Sequence, residues 1–234
     1  MSGAMHRRVI LNAEGSLASA ALEDDFHHFA LTVTHDGEVV TAVDATALRN
    51  PWASCPSASA QLQQLVGTRL DAASGNGIDP YQQCTHQYDL ALMALGQALR
   101  GGRREYLAMV SDAVEGRSQA TLERDGTLIM AWTLQGSAIM AGTHLVGANL
   151  RKLELESNID ADTAEAIKLL RRSVMVAGGR GHNFDQYASL AVFAGRMTGA
   201  CFAFQGHRLD EGLRVRGSVR DFTDNIEALL APHP

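Results

Sequence analysis

The chain has 234 residues, 46% of them hydrophobic and 20% charged, enough to bury a full core as one large domain or as two tightly joined ones. Its formal net charge of −6 argues against a nucleic-acid partner, since such proteins gather Lys and Arg into a dominant basic face. The polar start Met1–Arg8 leads into no apolar signal region, no run approaches the roughly 18 apolar residues of a membrane span, and three cysteines make no disulfide framework, so the expected setting is the reducing cytoplasm without a membrane.

In chain order, Arg7–Leu11 and Phe29–Val33 are short β-like runs and Glu38–Asp44 is a third, joined to the second through His35-Asp36-Gly37, whose Asp-Gly step suits a hairpin turn. Pro51 and Pro56 bracket a loop holding Cys55. After it, Ala58, Leu62, Leu65 and Val66 recur at helical spacing until Gly67. Residues Asp71 to Pro80 are rich in Gly, Ser, Asn and Asp and read as a mobile loop delivering Cys84 to a second helix, Thr85–Leu99, with Thr85 as N-cap and Gly101-Gly102 as the stop. Both thiols thus fall at helix N-termini, where the dipole and unpaired N–H groups favour thiolate.

A second β pattern follows in Glu105–Ser111, Ser118–Glu123 and Leu128–Leu134, with Arg124-Asp125-Gly126-Thr127 as a turn. Asp160 then caps an amphipathic helix whose apolar stripe is Ala166, Ile167, Leu170, Val174 and Ala177, ending at Gly178-Gly179-Arg180-Gly181. A further helix is expected over Asp185–Met197. Over Arg208–Arg220 the arginines alternate with Leu213, Val215 and Val219, the pattern of a strand with one solvated face or of a CoA-phosphate contact, and Arg214 to Leu230 reads as a strand or extended run followed by a short helix capped by Asp221 or Thr223. The fold class read from this order is α+β, two antiparallel-meander-plus-helix halves packed together, divided as 1–102 and 103–234.

No phosphate loop, dinucleotide fingerprint, zincin helix or nucleophile elbow occurs. The site-like residues are Asn50-Pro51-Trp52-Ala53-Ser54-Cys55-Pro56 and Cys84-Thr85-His86-Gln87-Tyr88-Asp89. Together with Phe26-His27-His28-Phe29-Ala30-Leu31 and Leu65-Val66-Gly67, they make the chain resemble the bacterial family catalogued as domain of unknown function 2889, over most of its length. That resemblance implies no activity or cofactor of its own. It implies a setting in acyl-CoA, aromatic or steroid catabolism. A looser likeness, in order only, is to the iron–sulfur cluster scaffold fold, with a meander, a cysteine before a helix, a Leu-x-Gly step and a cysteine opening another helix. Cys201, far along the chain, offers that likeness no obvious third ligand.

Three readings of the cluster stand side by side. Cys55 and Cys84 are small buried hydrophobes, as unbridged cysteines usually are. Alternatively Cys55, Cys84 and His86, with a carboxylate, hold zinc. Or Cys84 is a nucleophile toward a carbonyl or thioester, His28 or His86 transfers protons, and Asp25 or Asp89 orients the histidine. In a noncovalent variant the histidine activates water. Gly179, Arg180 and Gly181 could bind an anionic cofactor group through backbone N–H donors and a guanidinium, against the simpler reading of a helix end. His27, His35, His144 and His207 have no evident partners, and Trp52 and Trp132 read as core anchors. The expected function is a small-molecule catabolic enzyme, a thioesterase-like hydrolase or a lyase acting on an aromatic or acyl-CoA-type substrate, with no cofactor or with zinc. It is compatible with a homo-oligomer. The competing class is a metal-binding (zinc or iron–sulfur) or partner-stabilising module.

Overall fold

In the computed structural model, residues 3–71, 77–156 and 158–231 are described; residues 72–76, half of the loop expected over Asp71–Pro80, lie outside them. The protein is α+β, with eight strands and a few helices among the described residues. Contacts gather it into two compact units. The larger comprises residues 9–104 and 183–220, and the smaller comprises the described parts of 1–8, 105–182 and 221–234. The division is not sequential: a segment from the second half of the chain belongs with the first-half residues.

In the larger unit, β2 (Leu17–Asp24), β3 (His28–His35) and β4 (Val40–Arg49) form an antiparallel meander, with the C-terminal part of β1 (Ala4–Glu14) beside β2. β2 was not anticipated. Its sequence, Leu-Ala-Ser-Ala-Ala-Leu-Glu-Asp, is alanine-rich and carries little intrinsic strand preference, yet Ala18, Ala20 and Leu22 alternate into the core. α1 (Thr85–Arg100) packs across β2 and β3 through Leu90, Ala91, Ala94 and Leu95. It ends at Gly101, whose φ of 74° is open to glycine at little cost. The helix expected after Pro56 is a 3-10 helix over Pro56–Leu65, laid on β4 with Ala58, Leu62 and Leu65 inward as the periodicity required.

The helix expected over Asp185–Met197 is broken into a 3-10 turn (Phe184–Gln186), the single-turn α3 (Leu190–Phe193) and a 3-10 turn (Gly195–Met197). Ser189 is extended and bridges Leu213, and Leu190 donates its N–H to the Gly212 carbonyl, so local pairing replaces helix propagation. The Arg208–Arg220 stretch shows its faces reversed from expectation. Leu213 is 58% exposed, while the Arg214 side chain is 1% exposed. Arg214 pairs with Asp185 at 2.9 Å, donates to the Pro51 carbonyl and Ser218 Oγ, and lies over the Trp52 and Phe184 rings. A partnered guanidinium against aromatic faces tolerates burial that a hydropathy pattern assigns to leucine.

In the smaller unit the first residues of β1 lie beside β5 (Gly102–Ser111), and β6 (Arg117–Arg124), β7 (Thr127–Gln135) and β8 (Ala138–Gly142) continue the pairing. Asp125 and Gly126 both have positive φ, as the turn chemistry demanded. α2 (Ala161–Ala177) is capped by Asp160, whose Oδ1 accepts the Thr163 N–H at 2.9 Å, and buries Ala166, Ile167, Leu169 and Leu170. The C-terminal turn, Ile226–Ala228, follows Asn225 rather than Asp221 or Thr223. The hydroxyl of Thr223 instead donates to the Ala4 carbonyl.

Candidate functional site

The strongest concentration of buried polar chemistry lies at the β2–β3 turn. Glu23 and His28 pair across the hairpin, and Asp24 to His27 make the turn between them. Asp24 has no exposed surface, so its carboxylate must be satisfied internally. Its Oδ1 accepts the backbone N–H groups of Phe26 at 2.8 Å and His27 at 2.9 Å, and it lies 3.1 Å from His27 Nδ1. An ionised Asp24 thereby fixes His27 with hydrogen on Nδ1 and leaves Nε2 as the proton-exchanging atom. The His27 ring stacks on His86, from the first turn of α1, with centroids 4.0 Å apart.

A second layer holds the turn. Arg49, at the end of β4, donates to the carbonyl oxygens of Asp25 (2.8 Å), Ser218 (3.0 Å), His27 (3.3 Å) and Asp24, and its Nη2 meets Glu23 Oε1 at 3.1 Å. Glu23 also faces His28 Nδ1 at 3.5 Å. The Asp25 carbonyl accepts a further N–H from Arg220. Among the residues expected to form the site, His86 and His28 come to this cluster, and Asp25 contributes its main-chain oxygen. The carboxylate that orients a histidine is Asp24, and the oriented ring is His27, for which no partner was expected. Asp24, Glu23 and Arg49 were missed, although Glu-Asp-Asp before two histidines at a strand end is a legible sign of a charged turn. Asp89 lies half-buried one turn further along α1.

The three cysteines lie in the same unit, all as thiols. Cys55 belongs to an apolar cluster with Trp52, Leu190, Ala194, Ala203 and Phe204, and Cys201 packs against that cluster together with Phe184, Tyr187 and Phe193. Cys84 is the N-cap residue of α1. The Phe202 N–H donates to the Gln83 carbonyl at 2.9 Å, joining the neighbours of Cys201 and Cys84 directly. Cys201, which sequence order had set apart, therefore joins the other two. Burial pushes the Cys55 thiol well above its ordinary range, and the nearby Cys84 and Cys201 push it further. The expectation that a helix start makes Cys55 a thiolate is thus corrected: the helix is a 3-10 helix, and desolvation dominates. Among the described residues, no group of three His, Cys, Asp or Glu side chains is arranged to hold a metal ion.

In the smaller unit, Arg180 places Nε 2.8 Å from Asp112 Oδ1, meets Asp221 at 3.4 Å and donates to Thr223 Oγ1 at 3.0 Å. The Gly179 and Arg180 N–H groups close onto Val176 and Ala177 carbonyls, the pattern of a helix end, and Gly181 follows in the turn. His35 is buried and its Nδ1 accepts the Gly37 N–H, whereas His144 and His207 are exposed.

Part of the stretch that builds both clusters is similar to a known family. Residues 11–110 match the family described as protein of unknown function (DUF2889). That span contains Asp24, His27, Cys55, Cys84 and His86, so the carboxylate–imidazole cluster and two of the three thiols lie within the DUF2889 match, while Cys201, Arg214 and the 183–220 segment lie outside it. No curated protein matches the chain. No helix among the described residues is long and apolar enough to cross a membrane.

Proposed function

We propose that the protein is a small-molecule enzyme of the hydrolase or lyase type, in which His27, held by Asp24 and stacked on His86, moves the proton. The observation that carries this reading is the fully buried Asp24 aimed at His27 Nδ1, 3.1 Å away, with a second imidazole against the ring. A carboxylate in that position fixes the tautomer and stabilises the imidazolium that forms when Nε2 takes a proton from water or from substrate. His86, half-buried at the start of α1, is the second imidazole within reach of the same reacting group.

Aromatic surfaces adjoin the turn. Phe26 meets Phe184 edge-on at 5.7 Å, and Phe184 leads to Trp52 and Phe193 at 6.5 and 5.3 Å. Phe26 and Trp52 are core, and the partly buried rings of Phe184 and Phe193 favour an aromatic or acyl substrate, the acyl-CoA thioester among them. The nucleophilic version needs an ionised thiol. The thiol in question is Cys84, and the Asp24–His27 pair instead favours water activation by the histidine, with Cys84 as the residue whose removal separates the two. The unbridged cysteines support a reducing, cytoplasmic setting.

The test is a screen of aryl esters, acyl-CoA thioesters and carbon–carbon cleavage substrates against the wild type, Asp24→Asn, His27→Gln, His86→Gln and Cys84→Ala. Loss of proton transfer lowers kcat by about 10²–10⁴-fold in Asp24→Asn and His27→Gln, with Cys84→Ala retaining turnover. Full turnover in both His27→Gln and His86→Gln overturns the reading.

A further inference from the structure

We propose that Cys84 and Cys201 form an oxidant-sensitive dithiol that closes to a disulfide within the folded larger unit, while Cys55 stays a thiol. The placement of the two chain segments carries the inference. Tyr81 to Cys84 and Cys201 to Gln205 are joined by the Phe202 N–H bond to the Gln83 carbonyl at 2.9 Å, and by Gln205 Nε2 donating to the Tyr81 carbonyl at 2.8 Å and to the Cys201 carbonyl at 3.4 Å. The first of these bonds lies directly between the two cysteines in the chain path, since Cys84 follows Gln83 and Cys201 precedes Phe202. The cross-link requires Cα atoms within the range of roughly 4.4–6.8 Å that a disulfide spans.

Exposure sets Cys201 apart. It is half-buried and reachable from solvent, whereas Cys84 and Cys55 are 7% and 9% exposed, and Cys55 belongs to the apolar cluster with Trp52 and Phe204. Burial raises the Cys55 thiol and disfavours its thiolate, and the nearby Cys84 and Cys201 raise it further. With a peroxide as oxidant, Cys201 attacks one peroxide oxygen and becomes a sulfenic acid as the first water leaves. Cys84 sulfur then attacks the Cys201 sulfur and expels the second water. The two thiols together give up two electrons and two hydrogens, and the peroxide is reduced by two electrons. A cross-link at Cys84 fastens the N-cap of α1, two residues before His86. The inference is independent of the proposed reaction, and its test requires no substrate.

The full-length protein, reduced and freed of reductant, is treated with hydrogen peroxide under native conditions and digested without reduction. The expected result is a Cys84–Cys201 cross-linked peptide, a mass loss of about 2 Da, and a fall in thiols titratable after unfolding from three to one. Thiol reductant restores all three. Cys55→Ser retains the cross-link and Cys201→Ser abolishes it. A link through Cys55, a link only between chains, or no link with all three thiols intact overturns the proposal. A cross-link that forms equally fast in urea-unfolded protein also overturns it, because proximity in the fold would then not be its cause.

Discussion

Replacing Asp24 separates the two things its carboxylate does. Oδ1 accepts two buried backbone N–H groups at 2.8 and 2.9 Å, which shape the turn, and meets His27 Nδ1 at 3.1 Å, which orients the ring. Asp24→Ala orphans both N–H donors in a fully buried position, and at about 1–3 kcal/mol per unsatisfied group the loss comes to about 3–5 kcal/mol after partial relaxation. Asp24→Asn keeps an acceptor for the N–H groups and loses only the charge, so its cost is about 1–2 kcal/mol. For a chain of this size each kcal/mol moves Tm by roughly 2–4 °C, so the difference of about 1–4 kcal/mol places Asp24→Ala roughly 2–16 °C below Asp24→Asn. Urea unfolding at neutral pH measures both variants, and a double-mutant cycle with His27→Ala isolates the ring contact. Equal destabilisation by the two variants, or a loss below about 0.5 kcal/mol for Asp24→Ala, would refute the reasoning. The first outcome would make the charge everything and the turn bonds nothing.

The remaining predictions concern other parts of the chain. Arg49→Met removes the donor shared by four carbonyl oxygens and Glu23, and a loss of about 3 kcal/mol or more is expected on urea unfolding, with Arg49→Lys recovering only part of it. Gly142 has φ 149°, and a Cβ there would stand 2.2 Å from the Ala131 carbonyl oxygen and 2.9 Å from Trp132. Gly142→Ala should therefore lower Tm far more than Gly147→Ala, where nothing lies within 4 Å. Because burial raises the Cys55 thiol in the fold, the unfolded chain ionises first as pH climbs past 9.0. Stability then falls with rising pH above that value, and Cys55→Ala flattens the alkaline limb of a Tm-against-pH curve. His6 has the opposite sense. Burial lowers its pKa, so the neutral ring's full contribution holds above pH 6.5 and is lost as pH falls from there through the folded value, a window that His6→Gln removes.

Periodicity and turn chemistry alone determined much of the local structure. Helix α1 with its glycine stop, the Asp160 cap of α2, the Asp125-Gly126 turn and the strand pattern of β3 and of β5–β7 all rest on contacts a few residues long, and sequence spacing encodes such contacts directly. The family resemblance carried by the Cys-Pro and Cys-Thr-His motifs was legible for the same reason, in contiguous residues. Tertiary structure decided the rest. β2 depends on its neighbours because alanines become a strand only when pairing and burial reward them, and the reversed burial of Arg214 depends on Asp185 and on aromatic faces supplied by residues far away in the chain. That Asp24, and not the equally buried Asp25, meets His27 turned on the geometry of the hairpin turn, a choice that adjacent, chemically identical side chains cannot reveal. The segment of Cys201 lies beside that of Cys84 through a main-chain hydrogen bond from Phe202 to Gln83, more than a hundred residues apart in the chain. Closure over that distance is set by the packing of the whole unit, not by any local preference of the residues it joins.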